Sequence, residues 1–198
     1  MDHDHLYLGT NHGLFAADIV TNDAYYNFFN LRIIPGTQGQ VWNLSEYNDR
    51  ILCGHNSGTF MIKGDSLKKI SEVTGGWTIR PYGELLLEST YTGIIAFRKN
   101  YAGDWVFRKR IEGYIEPTRF IEADYLGYVW AVHSRKGIYR LELNERVDSI
   151  INILYFSSVG DGSGKLTMGN INNQVVFMAA DHIYAFDYEN KTFFPILS

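Results

Sequence analysis

The chain is poor in cysteine, in net charge and in long apolar runs, and each shortage excludes a class of protein. A single cysteine, Cys53, among 198 residues has no partner for an internal disulfide, which excludes the disulfide framework of small secreted domains. The formal net charge of −4 provides no basic field to attract nucleic acid or an anionic membrane. No apolar run approaches the ~20 residues of a membrane span. We therefore expect neither a nucleic-acid partner nor membrane contact by this segment.

Motifs of catalysis and cofactor binding are missing as well. The sequence contains no Gly-x-Ser-x-Gly elbow, no His-Glu-x-x-His, no phosphate-binding loop and no Cys-x-x-Cys. These absences favour a protein that is not an enzyme and holds no cofactor. The amino-terminal run MDHDHLYLG lacks the basic and apolar regions of a signal peptide, so we expect any export signal to lie outside this chain.

Aromatic residues are abundant, whereas proline is scarce. Fourteen tyrosines and twelve phenylalanines stand against four prolines, and aromatic side chains favour β-strands. The length suits one domain with a substantial core. The composition therefore predicts an all-β protein.

One stretch, residues 121–144, contains a complete strand, turn and strand pattern. Asp124 and Gly127 mark a turn before an apolar strand, and Gly137 marks the turn before a second strand. In residues 138–143, apolar side chains alternate with arginine and glutamate, as in a strand with one solvent-exposed face.

The same pattern recurs along the chain. Its turns fall at Gly13, Gly58, Gly93, Gly137 and, with histidine in place of glycine, His182, in steps of 45, 35, 44 and 45 residues. A period near ~40–45 with strands on both sides of the turn is typical of a propeller blade. The sequence therefore predicts an all-β fold, a β-propeller built of four-stranded antiparallel blades.

The phase of the repeat predicts a partial propeller of about 4–5 blades. The first turn follows what would be a second strand, so the first blade is expected to have three strands and the other four to be complete. We predict a single domain over residues 1–198. The approximate blades are 6–40, 41–76, 77–117, 118–162 and 163–198.

Three segments resemble parts of the repeat of the two-component regulator propellers. Residues 124–130, DYLGYVW, match its Asp-x-x-Gly-x-hydrophobic-Trp half, and residues 137–141, GIYRL, match the half that begins with glycine. Residues 8–15, LGTNHGLF, resemble the hydrophobic-Gly-Thr-x-x-Gly portion. The structural signature is carried by Gly13, Gly58, Gly93, Asp124, Gly127, Trp130 and Gly137.

This resemblance implies a periplasmic module that senses a ligand or signal. Propellers of this kind typically form the extracytoplasmic half of large bacterial hybrid histidine kinases or membrane-bound regulators, often in gut Bacteroidetes that sense glycans. The implied ligand is a carbohydrate or another small molecule. The resemblance does not imply catalysis.

The four tryptophans allow two interpretations. We expect Trp42 and Trp130 to pack between blades, because large aromatic side chains dominate cores. Trp77 and Trp105 follow glycine-containing turns, where exposed rings could stack on sugars, although core or interface packing is the more common use. As ligand contacts on the loops at one end of the blades, the sequence suggests Trp77, Tyr91 and Arg135.

The histidines and the glycine-rich loop are candidate metal ligands, but their spacing does not favour a metal site. His12, His55 and His133 lie near related turns, but equivalent turns of different blades lie far apart and carry no carboxylate at a repeated spacing. The amino-terminal Asp2-His3-Asp4-His5 could bind copper or nickel, although a frayed terminus is the simpler interpretation. Residues 160–164, GDGSG, lack the regular carboxylates of a calcium loop and fit a linker. We predict no metal site.

Asp124 has a structural interpretation. Its surroundings are similar to the Asp-box turn of sialidase-type propellers, but the serine or threonine that precedes the aspartate there is missing. We expect its side chain to cap its own turn.

Three functions remain open. The first is a sensing segment of a two-component regulator. The second is a scaffold for protein interaction or homodimerisation, in which exposed strand edges and aromatic side chains meet another subunit or neighbouring blades. The third, a propeller lyase or glycosidase, is disfavoured because no acid and base pair is evident.

Overall fold

The computed structural model describes residues 5–22, 25–63, 66–133, 135–160, 165–179 and 182–197, and all regular structure in these residues is β-strand. The nineteen strands are β1 His5–Gly9, β2 Leu14–Asn22, β3 Tyr25–Ile33, β4 Val41–Glu46, β5 Ile51–His55, β6 Gly58–Lys63, β7 Ser66–Ser71, β8 Thr78–Tyr82, β9 Leu85–Thr90, β10 Gly93–Lys99, β11 Trp105–Arg110, β12 Phe120–Ala123, β13 Val129–His133, β14 Gly137–Leu143, β15 Ile150–Phe156, β16 Thr167–Ile171, β17 Gln174–Ala179, β18 His182–Asp187 and β19 Thr192–Leu197. Residues 2–4 of the amino-terminal Asp-His run and residues 161–164 of the expected linker lie outside the described residues.

Five antiparallel sheets contain all of these strands. Four sheets have four strands in chain order, β4 to β7, β8 to β11, β12 to β15 and β16 to β19, and the first has three, β1 to β3. The glycine turn joins β1 to β2 in the first sheet but β5 to β6 in the second. Among the described residues, the first sheet therefore lacks a counterpart of the first strand, as the phase of the repeat predicts.

The chain forms two compact units. The first comprises Met1–Trp77 and Lys99–Val106, and the second comprises Thr78–Arg98 and Phe107–Ser198. The prediction of a single domain with five blade boundaries stays a prediction.

The first unit has a core between its two sheets. Leu14 of β2 packs with Cys53 of β5 and with Phe60 and Ile62 of β6. Cys53 is a fully buried cysteine, and it contributes a small side chain to this apolar cluster.

In the second unit, strand β13 of the sheet β12 to β15 is buried on both of its faces. Val129 and Ala131 of β13 face one apolar cluster, which includes Leu87 and Ile94. Trp130 and Val132 of the same strand face another, which includes Phe177 and Phe186 of the last sheet. Successive side chains of a strand point to opposite faces, so adjacent residues of β13 belong to different cores.

The recurrent turn glycines are required by close backbone contact. A Cβ atom at Gly58, Gly93 or Gly137 would lie only 2.2 to 2.3 Å from a carbonyl oxygen, and all three have positive φ angles. Side chains other than hydrogen are strained in that conformation. This packing explains why the repeat is visible in the sequence as evenly spaced glycines.

Candidate ligand-binding surface

The turns of each sheet lie at two opposite ends because the strands are antiparallel. The first and second strands join at one end, and the second and third join at the other. Two of the sequence-predicted ligand residues, Tyr91 and Arg135, lie at the second kind of turn, one between β9 and β10 and one between β13 and β14. The structure also reveals a pocket at the first kind of turn.

Tyr91 and Arg135 lie in charged and polar surroundings. Arg135 is exposed and Tyr91 is half-buried. Beside Tyr91, Arg110 donates to the carbonyl oxygen of Thr92 at 2.7 Å. Beside Arg135, Lys136 pairs with Glu116 at 2.7 Å, and this pairing raises the pKa of the Lys136 ammonium. The role of both residues in ligand binding stays a prediction.

The four tryptophans are engaged in packing. Trp130 is fully buried, as expected, and Trp77 meets Trp42 edge to face, with ring centroids 6.0 Å apart. Trp105 is only 3% exposed, and its Nε1–H donates to the carbonyl oxygen of Tyr47 at 3.3 Å. Of the two interpretations of Trp105, packing in the core is therefore the one that the structure supports.

His55 and His133 cap the turns that follow them. Nδ1 of His133 accepts hydrogen bonds from the backbone N–H groups of Arg135 and Lys136, at 3.1 and 3.0 Å. Nδ1 of His55 accepts one from the N–H of Ser57 at 3.1 Å. Both imidazoles are buried, and this burial lowers the pKa of each. The neutral imidazole is thus the form that stabilises the turn.

Threonine performs the same task in two other sheets. The hydroxyl of Thr10 accepts from the N–H groups of His12 and Gly13, and the hydroxyl of Thr90 accepts from the N–H of Thr92. The structural counterpart of His55 in the first sheet is therefore Thr10, and His12 is an exposed turn residue. In the described part of the chain, no group of three His, Cys, Asp or Glu side chains is placed to hold a metal ion.

Asp124 organises the turn between β12 and β13, as the sequence predicts. Its Oδ1 accepts from the backbone N–H groups of Leu126 and Tyr128, both at 2.9 Å. Its Oδ2 accepts from Nε1–H of Trp130 at 2.8 Å and from the hydroxyl of Tyr188 at 2.7 Å. Asp124 thus accepts hydrogen bonds from four donors, and the residue is only 7% exposed. The carboxylate is therefore held in place by its own turn and by the two neighbouring rings.

A pocket of about 340 Å³ opens beside this turn. Three hairpin turns from three sheets of the second unit line it, those between β8 and β9, between β12 and β13, and between β16 and β17. Its lining residues are Pro81, Tyr82, Gly83, Ala123, Asp124, Tyr125, Gly127 and Asn173. Sequence reasoning missed Tyr82, Tyr125 and Asn173 as site residues, because their convergence depends on how the sheets pack against each other.

A second cavity, of about 250 Å³, lies in the first unit. Its polar lining includes His5 and Arg32. The guanidinium of Arg32 donates to Asp18 at 2.9 Å, and the hydrogen bonds from Asn30 and Arg32 lower the pKa of the Asp18 carboxyl. The charge of Arg32 is therefore already paired within the unit.

The fold defines a class: a repeat of small antiparallel sheets of the β-propeller type. The WD40 β-propeller domain of Doa1 matches 92% of this chain over 64% of its own, with a TM-score of 0.57 and 10% identity. No family model matches the chain, and no curated protein matches it. Within the described residues, no helix has the length and apolar character needed to cross a membrane.

More specific likeness is to extracellular domains of two B. thetaiotaomicron proteins described as hybrid two-component systems. The BT3049 domain matches 96% of this chain with a TM-score of 0.63 and 15% identity. The BT4673 domain matches 98% with a TM-score of 0.63 and 13% identity. The match covers 28% and 30% of those two chains, so this chain spans less than a third of their length. The predicted resemblance to this group is thereby confirmed at the level of the fold.

Proposed function

We propose that this chain is a non-catalytic, ligand- or signal-sensing segment of a β-propeller in a bacterial two-component sensor protein, located in the periplasm. The observation that carries the proposal is the fold, which this chain shares with extracellular domains of hybrid two-component proteins. Each of the five sheets would be one blade of a partial propeller, within the single predicted domain.

The chemistry of the pocket supports binding without catalysis. Asp124 is the carboxylate that lines it, and all four of its hydrogen bonds hold its own turn and neighbouring rings. Acid and base catalysis needs a group that can exchange a proton with a substrate. The described lining therefore favours a protein that recognises a molecule without converting it.

A thermal-shift assay with a panel of glycans tests the sensing function. A ligand that binds the folded state raises the melting temperature with concentration. We expect at least one glycan to do so, and no product to form from it on long incubation. Glycan turnover would contradict the non-catalytic part of the proposal.

The complete reading frame that contains this chain tests the two-component assignment separately. We expect it to encode a membrane span followed by a histidine kinase or a DNA-binding output domain. A reading frame that encodes a polysaccharide-degrading domain in their place would overturn the assignment, whatever the glycan panel shows.

A second function, a scaffold for protein interaction or dimerisation, is favoured by the outer strand of the first sheet. Tyr26, Phe28, Phe29 and Leu31 of β3 are all more than half exposed, and exposed apolar strand edges seek partners. Light scattering of the purified chain tests this function. A monomer at concentrations up to about 1 mM, where weak associations would be visible, would count against it.

A further inference from the structure

The last strand of each sheet has one edge that no other strand pairs with in the described residues. These strands are β3, β7, β11, β15 and β19. Proteins protect such edges from unwanted pairing with charged side chains or proline. Three of the five carry this protection, which is Lys68 and Lys69 in β7, the Arg-Lys-Arg run 108–110 in β11 and Pro195 in β19. Strand β3 has only Arg32, which is paired with Asp18, and β15 has neither device.

Strand β15 combines an uncharged sequence with an exposed apolar row. Residues 150–156 read IINILYF and contain neither a charged side chain nor a proline. Ile153 and Tyr155 are 41% and 52% exposed, and they point to the same face because they lie two positions apart in a strand. An exposed edge of this composition is a template for pairing with another chain.

The free part of this edge is backed by a complete sheet. Residues 152–156 lie opposite residues 138–142 of β14 without a register shift, and β14 is in turn backed by β13 and β12. The start of the edge is covered, because the carbonyl oxygen of Glu112 accepts from the N–H of Ile150 at 2.8 Å. A four-stranded sheet therefore holds five residues of β15 in the extended form that a partner strand requires.

Strand β3 is a weaker template, although its side chains are exposed. In the part of the chain that the structure describes, β1 reaches only as far as Asp18 of β2, which lies opposite His5. The half of β3 that pairs with residues 19–22 therefore belongs to a ribbon of two strands, which is marginally stable in water. The positive φ angle of Asn30, 53°, interrupts the strand as well.

Residues 152–156 are complementary to a second copy of themselves. In an antiparallel pair related by a two-fold axis at Leu154, Ile153 of each copy lies opposite Tyr155 of the other. Directly opposite side chains share a face, and pairs of an aromatic and a β-branched residue stabilise sheets. The exposed apolar row of one copy thus continues into that of the other.

The charges at the two ends of β15 favour the same antiparallel arrangement. The turn between β14 and β15 carries two acidic residues and one basic residue, and its exposed carboxylate is Glu145. At the other end, the hydroxyl of Tyr155 donates to the carbonyl oxygen of Lys136. The turn beside that end therefore carries the exposed Arg135 and the ion pair of Lys136 with Glu116. Antiparallel pairing brings the more acidic end of each copy to the more basic end of the other, whereas parallel pairing would bring like charges together.

We propose that the free edge of β15 is a homodimer interface, where two copies of this chain pair residues 152–156 antiparallel and join their sheets into one of eight strands. The inference rests on the second proposed function, dimerisation, and it names the partner and the surface. Five residues a side form a smaller contact than the ~800 Å² per partner of a standard interface. We therefore expect a weak dimer, half formed at about 100 µM.

Sedimentation velocity of the whole chain between about 10 µM and 1 mM measures the association, and lysine substitutions locate it. Ile153→Lys places a charge in the middle of the contact, opposite Tyr155 of the second copy. Ile171→Lys is the matched control, because Ile171 is 50% exposed and lies on β16, the first strand of its sheet. Phe28→Lys makes the corresponding change on β3. Equal melting temperatures of Ile153→Lys and Ile171→Lys at the lowest concentration establish that both variants are folded.

Two charge exchanges test the orientation of the strands. Glu145→Lys and Arg135→Glu each place like charges together in the antiparallel dimer, so each should weaken the association about fivefold. The double variant Glu145→Lys, Arg135→Glu restores opposite charges and should recover the original association. Weakening by both single variants without recovery in the double variant would overturn the antiparallel arrangement.

We expect the unaltered chain, Ile171→Lys and Phe28→Lys to dimerise alike, and Ile153→Lys to remain monomeric at about 1 mM. A dimer that survives Ile153→Lys and is lost in Phe28→Lys overturns the inference but leaves the dimerisation function standing at β3. An unaltered chain that stays monomeric over the whole range overturns both, whether β15 pairs with a strand of a different protein or with none. The sensing function does not depend on any of these results.

Discussion

The indole Nε1–H of Trp130 donates a 2.8 Å hydrogen bond to Oδ2 of Asp124, six residues earlier in the same hairpin. The hydroxyl of Tyr188, in the next sheet, donates to the same oxygen at 2.7 Å. One carboxylate therefore joins a turn, a core side chain and a neighbouring sheet. Because both bonds end on a carboxyl group that the protein shields from water, losing either partner should cost more than losing an ordinary hydrogen bond at the surface.

Replacing Asp124 by asparagine should destabilise the second unit. The amide presents its N–H groups toward a side where Trp130 and Tyr188 also donate, so at least one donor is left without an acceptor. We expect the free energy of unfolding to fall by about 3 kcal/mol, measured by urea denaturation. Glu145→Gln, at an exposed position, is the control and should change it by less than about 0.5 kcal/mol. Equal effects of the two variants would contradict the role of Asp124.

The two buried histidines should make stability depend on pH. Burial lowers the pKa of His55 and His133 below the ordinary value of 6.5, so the unfolded chain binds more protons than the folded one. Their stabilising contribution is therefore fully present above pH 6.5 and is lost as the pH falls through the folded-state pKa values. We expect the free energy of unfolding to decrease between pH 7.5 and 5.

Threonine replacements identify the source of that decrease. Thr10 and Thr90 already cap the equivalent turns through hydroxyl groups, so the double variant His55→Thr, His133→Thr should retain the turns. Its free energy of unfolding should differ less between pH 7.5 and pH 5 than that of the unaltered chain. His12→Thr, at an exposed turn position, should leave the difference in the free energy of unfolding between pH 7.5 and pH 5 unchanged. A decrease of full size in the double variant would show that other groups cause it.

Alanine at Gly137 should be far more costly than alanine at Gly83. At Gly137, with φ of 125°, a Cβ would lie 2.2 Å from the carbonyl oxygen of Phe156. At Gly83, with φ of 56°, no heavy atom lies within 4 Å. We expect losses of about 2–4 kcal/mol and about 1–2 kcal/mol in urea denaturation. Similar losses would mean that the conformation alone, and not the contact, selects glycine.

Variants of Trp77 separate packing from ligand binding. Its ring meets Trp42 edge to face within the first unit, so Trp77→Ala should lower the free energy of unfolding by about 2 kcal/mol and Trp77→Phe by less. If Trp77→Phe keeps stability but removes a glycan-dependent rise in melting temperature, the side chain contacts the ligand as the sequence suggests. If the rise is unaffected, its role is packing.

Much of the architecture is predictable because evenly spaced turn glycines and alternating apolar and polar side chains reveal the repeat. Four of the five sheets have the four strands in chain order that the repeat predicts. The ends of strands β2 and β3 are not predictable from such a pattern. Several side chains near their hairpin, among them Val20, Tyr26 and Phe29, are exposed, so no buried face imposes an alternation on the sequence.

The candidate site was much less predictable than the sheets. Asp124 was recognisable as a turn cap, because its bonds are local in sequence. Tyr82, Tyr125 and Asn173 come from three hairpins about 45 residues apart, and each looks like an ordinary turn residue on its own. The cap formed by His55 has a signal in the sequence, since His55 stands three residues before its glycine as Thr10 and Thr90 do. Imidazole and hydroxyl groups differ so much chemically that the common capping role of the three residues is not evident from the sequence.

The sharing of β13 between two cores limits how this protein can change over evolution. A one-residue insertion or deletion inside the strand would exchange its two sides, sending the indole of Trp130 into the space of alanine and valine and leaving the other core with a void. Substitutions of similar size can be absorbed there, whereas changes in length cannot. Growth and shrinkage of the chain should therefore be confined to its connections, as the single short step of 35 residues between Gly58 and Gly93 already illustrates.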